Sequence, residues 1–113
     1  MSSLQRWDIV FIRTDEKDVS GHPAVVLSNP DILEDSRHLR FNVVTGTKKP
    51  PAIPARAHQV ILNGADGLEF ATVFDCAFVS VARKSSVIRS AGRVAYARRG
   101  QIAAKLRASL GLG

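Results

Sequence analysis

The sequence predicts a mainly β chain, a small barrel or sandwich finished by one C-terminal amphipathic helix, and three observations carry that prediction. Five short runs rich in β-branched and aromatic residues recur at close spacing, separated by clusters of Gly, Pro, Asn and Asp. The period changes only near the end, where Ile102, Leu106 and Leu110 fall at i, i+4 and i+8. With 113 residues, 45% of them apolar, the chain is long enough for one core and too short for two, so residues 1–113 read as a single domain.

The first run, WDIVFIR (7–13), is apolar on both parities, the pattern of a strand covered on both faces. A polar loop, TDEKDVSG (14–21), leads to a second strand, HPAVVLS (22–28), in which Pro23 is tolerated at the first positions or on an edge. Asn29 caps a short turn in NPDILEDSRH, and LRFNVVTG (39–46) is the third strand. Residues 47–55, TKKPPAIPA, hold three of the five prolines and two lysines, which makes them an exposed basic loop rather than a central strand. HQVILN (58–63) then pairs across NGADG with residues 68–82, a run long enough to bend or bulge and serve two sides of a small barrel. The terminal helix starts near Arg98 and stops at GLG. Arg98 and Arg99 oppose the helix dipole at its start, which calls for either a partner or a fraying end.

The formal charge is +6 and unevenly spread: residues 83–113 carry eight Lys or Arg and no acid, while all ten acids lie in residues 1–82. Such a C-terminal quarter suits a polyanion or an acidic protein partner, or is an ordinary solvated face. The single cysteine, Cys76, excludes an internal disulfide and any Cys-rich zinc site, and its apolar surroundings make it a buried, inert thiol. His22, His38 and His58 lie too far apart in sequence to argue for a metal, so neither metal nor cofactor is expected. MSSLQRWDIVFIR has no apolar leader core, and no apolar run approaches eighteen residues, which predicts a cytoplasmic protein without a membrane partner.

Taken in order, RWDIVFI, GHPAVVLSN, FNVVTGTK, VILNGADGLEFATVFDCAFVSVA and a last helix ending in LGL resemble the MazF/PemK family of toxin ribonucleases over nearly the whole chain. The family pattern has a Gly-Asp-Ile-Val first strand, an Arg-Pro-Ala-Val-Val-Leu second strand, a third strand ending in threonine, and a Cys-Asp-Gln-x-Arg-Thr strand before the last helix. The resemblance implies an SH3-like barrel (CcdB/MazF-like), a homodimer, and metal-independent endoribonuclease cleavage of single-stranded RNA restrained by a cognate antitoxin peptide. In that chemistry the ribose 2′-OH attacks the adjacent phosphate, which requires a base, an acid and a stabiliser of the charged phosphorane. The family's arginine before the strand-two proline and its threonine at the end of strand three fall on His22 and Thr45 here.

Thr45 keeps the pattern and His22 departs from it. Imidazole lacks the permanent bidentate charge of guanidinium, yet its ordinary pKa of about 6.5 suits proton transfer near neutrality. Arg13, Arg40, Thr47, Lys48, Lys49 and Arg56 are candidates for the missing charge and for RNA contacts, or are plain loop and strand polarity. The family glycine before Asp8 is Trp7, and its Asp-Gln and Arg-Thr pairs are Ala77, Phe78, Ser80 and Val81. Asp75, two residues before Ala77 and so on the same strand face, either substitutes for the lost carboxylate or is a solvated edge residue. Phe78 stands where a polar group is expected and either stacks on a base or closes the groove. Two rival readings remain: a module of this fold that binds antitoxin or nucleic acid without cutting, and a CcdB-like gyrase poison.

Overall fold

Strands β1 (Asp8–Ile12) and β2 (His22–Val26) form where the apolar runs stand in the sequence, and they pair antiparallel with Ile9 opposite Val25 and Ile12 opposite His22. A computed structural model describes residues 4–48 and 55–112. After a short helix α1 (Pro30–Glu34), β3 (Arg40–Lys48) pairs with β2, Ala24 lying opposite Thr45. β4 (Gln59–Leu62), β5 (Thr72–Asp75), β6 (Ser80–Arg83) and β7 (Val87–Arg93) complete an antiparallel sheet before the long helix α2 (Tyr96–Leu110). The strand order is β4-β5-β3-β2-β1-β7, with β6 paired to the first half of β3 and β5 to its second half.

The central strands are buried on both faces, as the unbroken apolar runs require. On one side Ile9, Val25, Val44, Phe74, Cys76 and Ile102 pack with Leu62 and Val94 beneath α2. On the other, Val10, Ile12, Ala24, Val26, Phe41 and Val43 pack with Leu33 of α1 and Ala82 of β6. Pro23 sits in an interior strand, not at an edge: the β2–β3 ladder begins only at Ala24, so its missing N–H interrupts nothing there.

Two expectations are corrected and one strand is added. The run 68–82 is two strands, because the Asp75 carboxylate accepts the Ala77 N–H at 2.9 Å and turns the chain out of the ladder. VIRSAGR is a further strand, β7, which has little strand signal: it holds two arginines and a glycine, and none of its residues is fully buried. The sheet is also not closed into a barrel, since no ladder joins β4 to β7 among the described residues.

A corner fills that gap instead. The 3₁₀ turn Gly64–Asp66 and Gly67 press so closely on β7 that a Cβ on Gly92 would lie 2.5 Å from the Asp66 carbonyl oxygen. Asp66 is fully buried there and accepts from the backbone N–H of Asn63 at 3.0 Å and of Ala95 at 2.7 Å, and from the Arg98 guanidinium. The arginine pair at the start of α2 is therefore internally matched: Arg98 meets this carboxylate and Asn63, and Arg99 Nε donates to the Val94 carbonyl. Of the apolar stripe of α2, Ile102 is buried and Leu106 half-buried, while Leu110 is exposed.

Candidate functional site

The alternation of β3 decides where its polar end points. Val43 packs on the α1 side and Val44 beneath α2, so Thr45 shares the face of Val43, and it is exposed there. Directly opposite is Ala24, and His22 stands two residues along β2 on that same face. This diagonal relation puts the two side chains about 7–8 Å apart. Thr45 and His22, chosen from the sequence, therefore share one open face of the sheet.

His22 is not a bare surface imidazole. Its Nε2 lies 3.5 Å from Oδ2 of Asp18 in the β1–β2 loop, with the His22 side chain 55% exposed. Asp18 is fixed in turn: it accepts from the Thr14 N–H at 3.2 Å, the Thr14 hydroxyl at 3.1 Å and the Gly21 N–H at 3.0 Å. The Thr14 N–H, followed by the Gly21 N–H, the Thr14 hydroxyl and the imidazole, holds the Asp18 carboxyl below the ordinary aspartate range. Gly21 makes this turn possible, with φ of 78° and no room for a Cβ, which would meet the Ile12 carbonyl oxygen and Ile88 Cδ1 at 2.9 Å. A carboxylate that orients an imidazole is the arrangement a proton-transfer group needs. Asp18 carries no motif of its own; its four-residue spacing from His22 within a loop is the only sequence trace of the pair.

The cationic candidates divide among several places. Arg13 follows the residue paired with His22 and lines an open groove of about 740 Å³ with Thr14, Asp15, Arg83, Ser85 and Ser86. Arg83, which sequence reasoning did not single out, thus joins Arg13 in this groove. Arg40 lies opposite Arg83 at the start of β3, five residues from Thr45 and on the other parity, so it is away from the Thr45 face. Thr47 stays on the Thr45 face, opposite Val73. Lys48 lies on the reverse parity with its ammonium 4.1 Å from the Phe70 ring centroid. Lys49 lies outside the described residues. Arg56 is exposed, and its N–H donates to Gln59 Oε1 at 2.9 Å.

Asp75 is the end of β5, and the strand relation to Ala77 inferred from spacing does not apply once the chain turns there. The β3–β5 ladder ends at Gly46–Phe74, and Asp75 pairs instead with Gln59 of β4. Its Oδ1 lies 3.6 Å from Nε2 of His58, a second histidine–carboxylate pair, and His58 borders a cavity with Lys105, Ala108 and Ser109 of α2. Phe78 lies in the excursion between β5 and β6 and is 73% exposed. Cys76 is fully buried, and burial pushes its thiol up to about 11, which keeps it protonated and unreactive at neutral pH. Among the described residues no three His, Cys, Asp or Glu side chains converge as metal ligands would, and no helix is long and apolar enough to cross a membrane.

No protein-family model and no curated protein matches the chain. Solved structures do. An endoribonuclease from a mycobacterial species, in complex with its cognate antitoxin, superposes with a TM-score of 0.79 at 17% identity, covering 100% of this chain and 98% of that one. The Mycobacterium tuberculosis toxin MazF-mt6 gives 0.76 at 15% identity over 94% and 98% of the two chains. A MazE–MazF structure from Deinococcus radiodurans gives 0.76 at 14% identity over 98% of each. At these identities the likeness establishes the fold: a mainly β, MazF-like sheet with one C-terminal helix.

Proposed function

We propose, from the premise that this chain has the fold of the MazF toxins, that it is a toxin endoribonuclease: it cleaves single-stranded RNA without a metal by 2′-OH attack and is held in check by an antitoxin peptide. The observation that carries the reading is the Asp18-oriented imidazole of His22 diagonal to Thr45 on one open face. His22 transfers the proton, and Thr45 donates a hydrogen bond to the phosphate as its charge grows. Arg13 and Arg83 line an open groove whose positive charge suits a polyanion such as RNA. The mycobacterial protein that superposes along the whole chain is an endoribonuclease bound to its cognate antitoxin, and this likeness supports an RNA substrate and an antitoxin partner here. The protein acts in the cytoplasm as a homodimer.

Purified protein incubated with single-stranded RNA in EDTA should leave 2′,3′-cyclic phosphate and 5′-OH ends. His22→Ala should lower the rate by about 10²–10⁴-fold, and His22→Arg should restore or raise it. RNA left intact after prolonged incubation with wild-type protein would overturn the reading. It would leave the second one, a module of the same fold that binds RNA or antitoxin without cutting. The exposed Phe78 and Val81, where the family pattern is polar, favour that alternative.

A further inference from the structure

Several cations of this chain are matched from within. Arg37, Arg93 and Arg98 meet the carboxylates of Asp35, Asp8 and Asp66, while Arg6, Arg99 and Lys84 donate to backbone carbonyls. Arg40 and Arg83 differ: both are exposed, and among the described residues neither forms an ion pair or a side-chain hydrogen bond. Yet they stand directly opposite each other in the β3–β6 ladder.

The ladder holds that pair at its closest. The Asn42 carbonyl accepts from the Leu27 N–H at 2.9 Å, and the Asn42 N–H donates to Ser28 Oγ at 2.8 Å, so the backbone of Asn42 turns toward β2 and away from β6. Arg40, two residues back, turns the same way, and the Lys84 N–H donates to the Leu39 carbonyl at 2.9 Å just beyond it. Arg40 and Arg83 are therefore a non-hydrogen-bonded pair, with Cα atoms about 4.5 Å apart and side chains at their nearest. Like charges opposed in this way repel. Asn42 and Val81, the next pair on that face, are exposed and uncharged. Phe41, Val43 and Ala82 alternate with these residues and pack in the core beside α1, so the arginine pair faces away from the side that carries Thr45 and His22. Arg83 also lines the open groove with Arg13, while Asp15 and Glu16 line it from the β1–β2 loop, which leaves the strand side as the basic one.

We infer that Arg40 and Arg83 form a second phosphate-binding site, outside the cutting face, which holds the backbone of an RNA strand several nucleotides from the cut. The inference rests on the proposed RNA substrate and names where the rest of that strand runs. A phosphodiester seated between the two guanidinium groups takes forked N–H donors from each and cancels the repulsion that the ladder imposes. The Asn42 amide supplies a neutral donor beside it. Val81 is the one apolar side chain among these four, so the patch offers charge and hydrogen bonds rather than a pocket for peptide side chains. Arg40 lies five residues from Thr45, about 16 Å along β3, and on the reverse face, so a strand must extend past the cut segment to reach both.

The test measures binding of a short single-stranded RNA and of the same strand extended at both ends, with fluorine in place of every 2′-OH so that neither can be cut. On the long strand, Arg40→Gln should weaken binding about tenfold, the worth of one charge-assisted contact. It should also lower the slope of log K against log salt by about 0.7, and adding Arg83→Gln should lower it by about 0.7 again. On the short strand Arg40→Gln should match wild type. Arg40→Lys, which keeps the charge and loses the fork, should restore the slope without the full affinity. Each glutamine variant should unfold at no lower urea concentration than wild type, because it relieves the opposed charges. Equal weakening on both strands, or an unchanged slope on the long one, overturns the site. A loss confined to binding of polyglutamate overturns it as well and assigns the patch to an acidic protein, and so does failure of wild-type protein to bind the long strand. If the long strand binds as expected while unmodified RNA stays intact, the cleavage reading falls and the phosphate site stands.

Discussion

Replacing Asp66 with alanine removes the carboxylate that joins the 3₁₀ corner after β4 to the start of α2. The side chain is 0% exposed and its partner Arg98 is 27% exposed. Its loss strands the N–H groups of Asn63 and Ala95, each an unsatisfied donor worth about 1–3 kcal/mol, and leaves a largely buried guanidinium unpaired. Breaking one side of a buried pair costs about 3–5 kcal/mol, a range that already includes much of the orphaned-donor cost, so we expect a loss of about 4 kcal/mol. That is a large share of the roughly 5–15 kcal/mol that holds an ordinary domain together. With a urea m-value of about 1.5 kcal/mol/M, the unfolding midpoint should fall by about 2–3 M. Asp66→Asn, which keeps one acceptor oxygen but no charge, should fall between wild type and Asp66→Ala. Arg98→Ala combined with Asp66→Ala should cost less than the sum of the singles, because the second change removes the charge that the first leaves unpaired. A loss below about 1 kcal/mol for Asp66→Ala at unchanged m would refute the idea that this corner, rather than a β4–β7 ladder, holds the open side of the sheet together.

Trp7 has a φ of 75°, the left-handed region, where its N–H is bound to the Val26 carbonyl and its carbonyl accepts from Val94. A residue with a Cβ is strained there by about 1–2 kcal/mol, so Trp7→Gly should be more stable than Trp7→Ala by about 1 kcal/mol in urea unfolding, reversing the usual order. An alanine variant at least as stable as the glycine one would show that the strain is absent. Asp18 is expected to contribute stability that depends on pH in one direction. Because its folded-state pKa is lowered, the contribution is full above the ordinary value of 3.8 and disappears as pH falls through the lower folded value. The gap in urea midpoint between wild type and Asp18→Asn should thus be open at pH 7 and close at the acid end, and a gap independent of pH would contradict the hydrogen bonds assigned to this carboxylate.

By itself the sequence determined whatever depends on nearest neighbours and on period. Unbroken apolar parity in β1 announced a strand covered on two faces, since a strand with one wet face would alternate. The i, i+4 spacing of Ile102 and Leu106 announced the helix, and the order of short motifs singled out His22 and Thr45, which the register sets on one face of the sheet. Where a local hydrogen bond competes with strand propensity, as Asp75 does by accepting from Ala77, the apolar pattern misled and one long strand became two. β7 was hidden for the opposite reason: the neighbours that order it, β1 along one edge and the Gly67 corner packed against it, lie far away in sequence. Only the tertiary structure decided the rest. Arg98 meets Asp66 across 32 residues and His58 meets Asp75 across β4 and β5, so no local pattern carries either pair. An arginine that sequence leaves at an unfavourable helix end is matched by a buried acid. A histidine without a partner in its own segment becomes half of a dyad. Both outcomes follow from the register of the sheet and the corner packed against it, which only long-range packing sets.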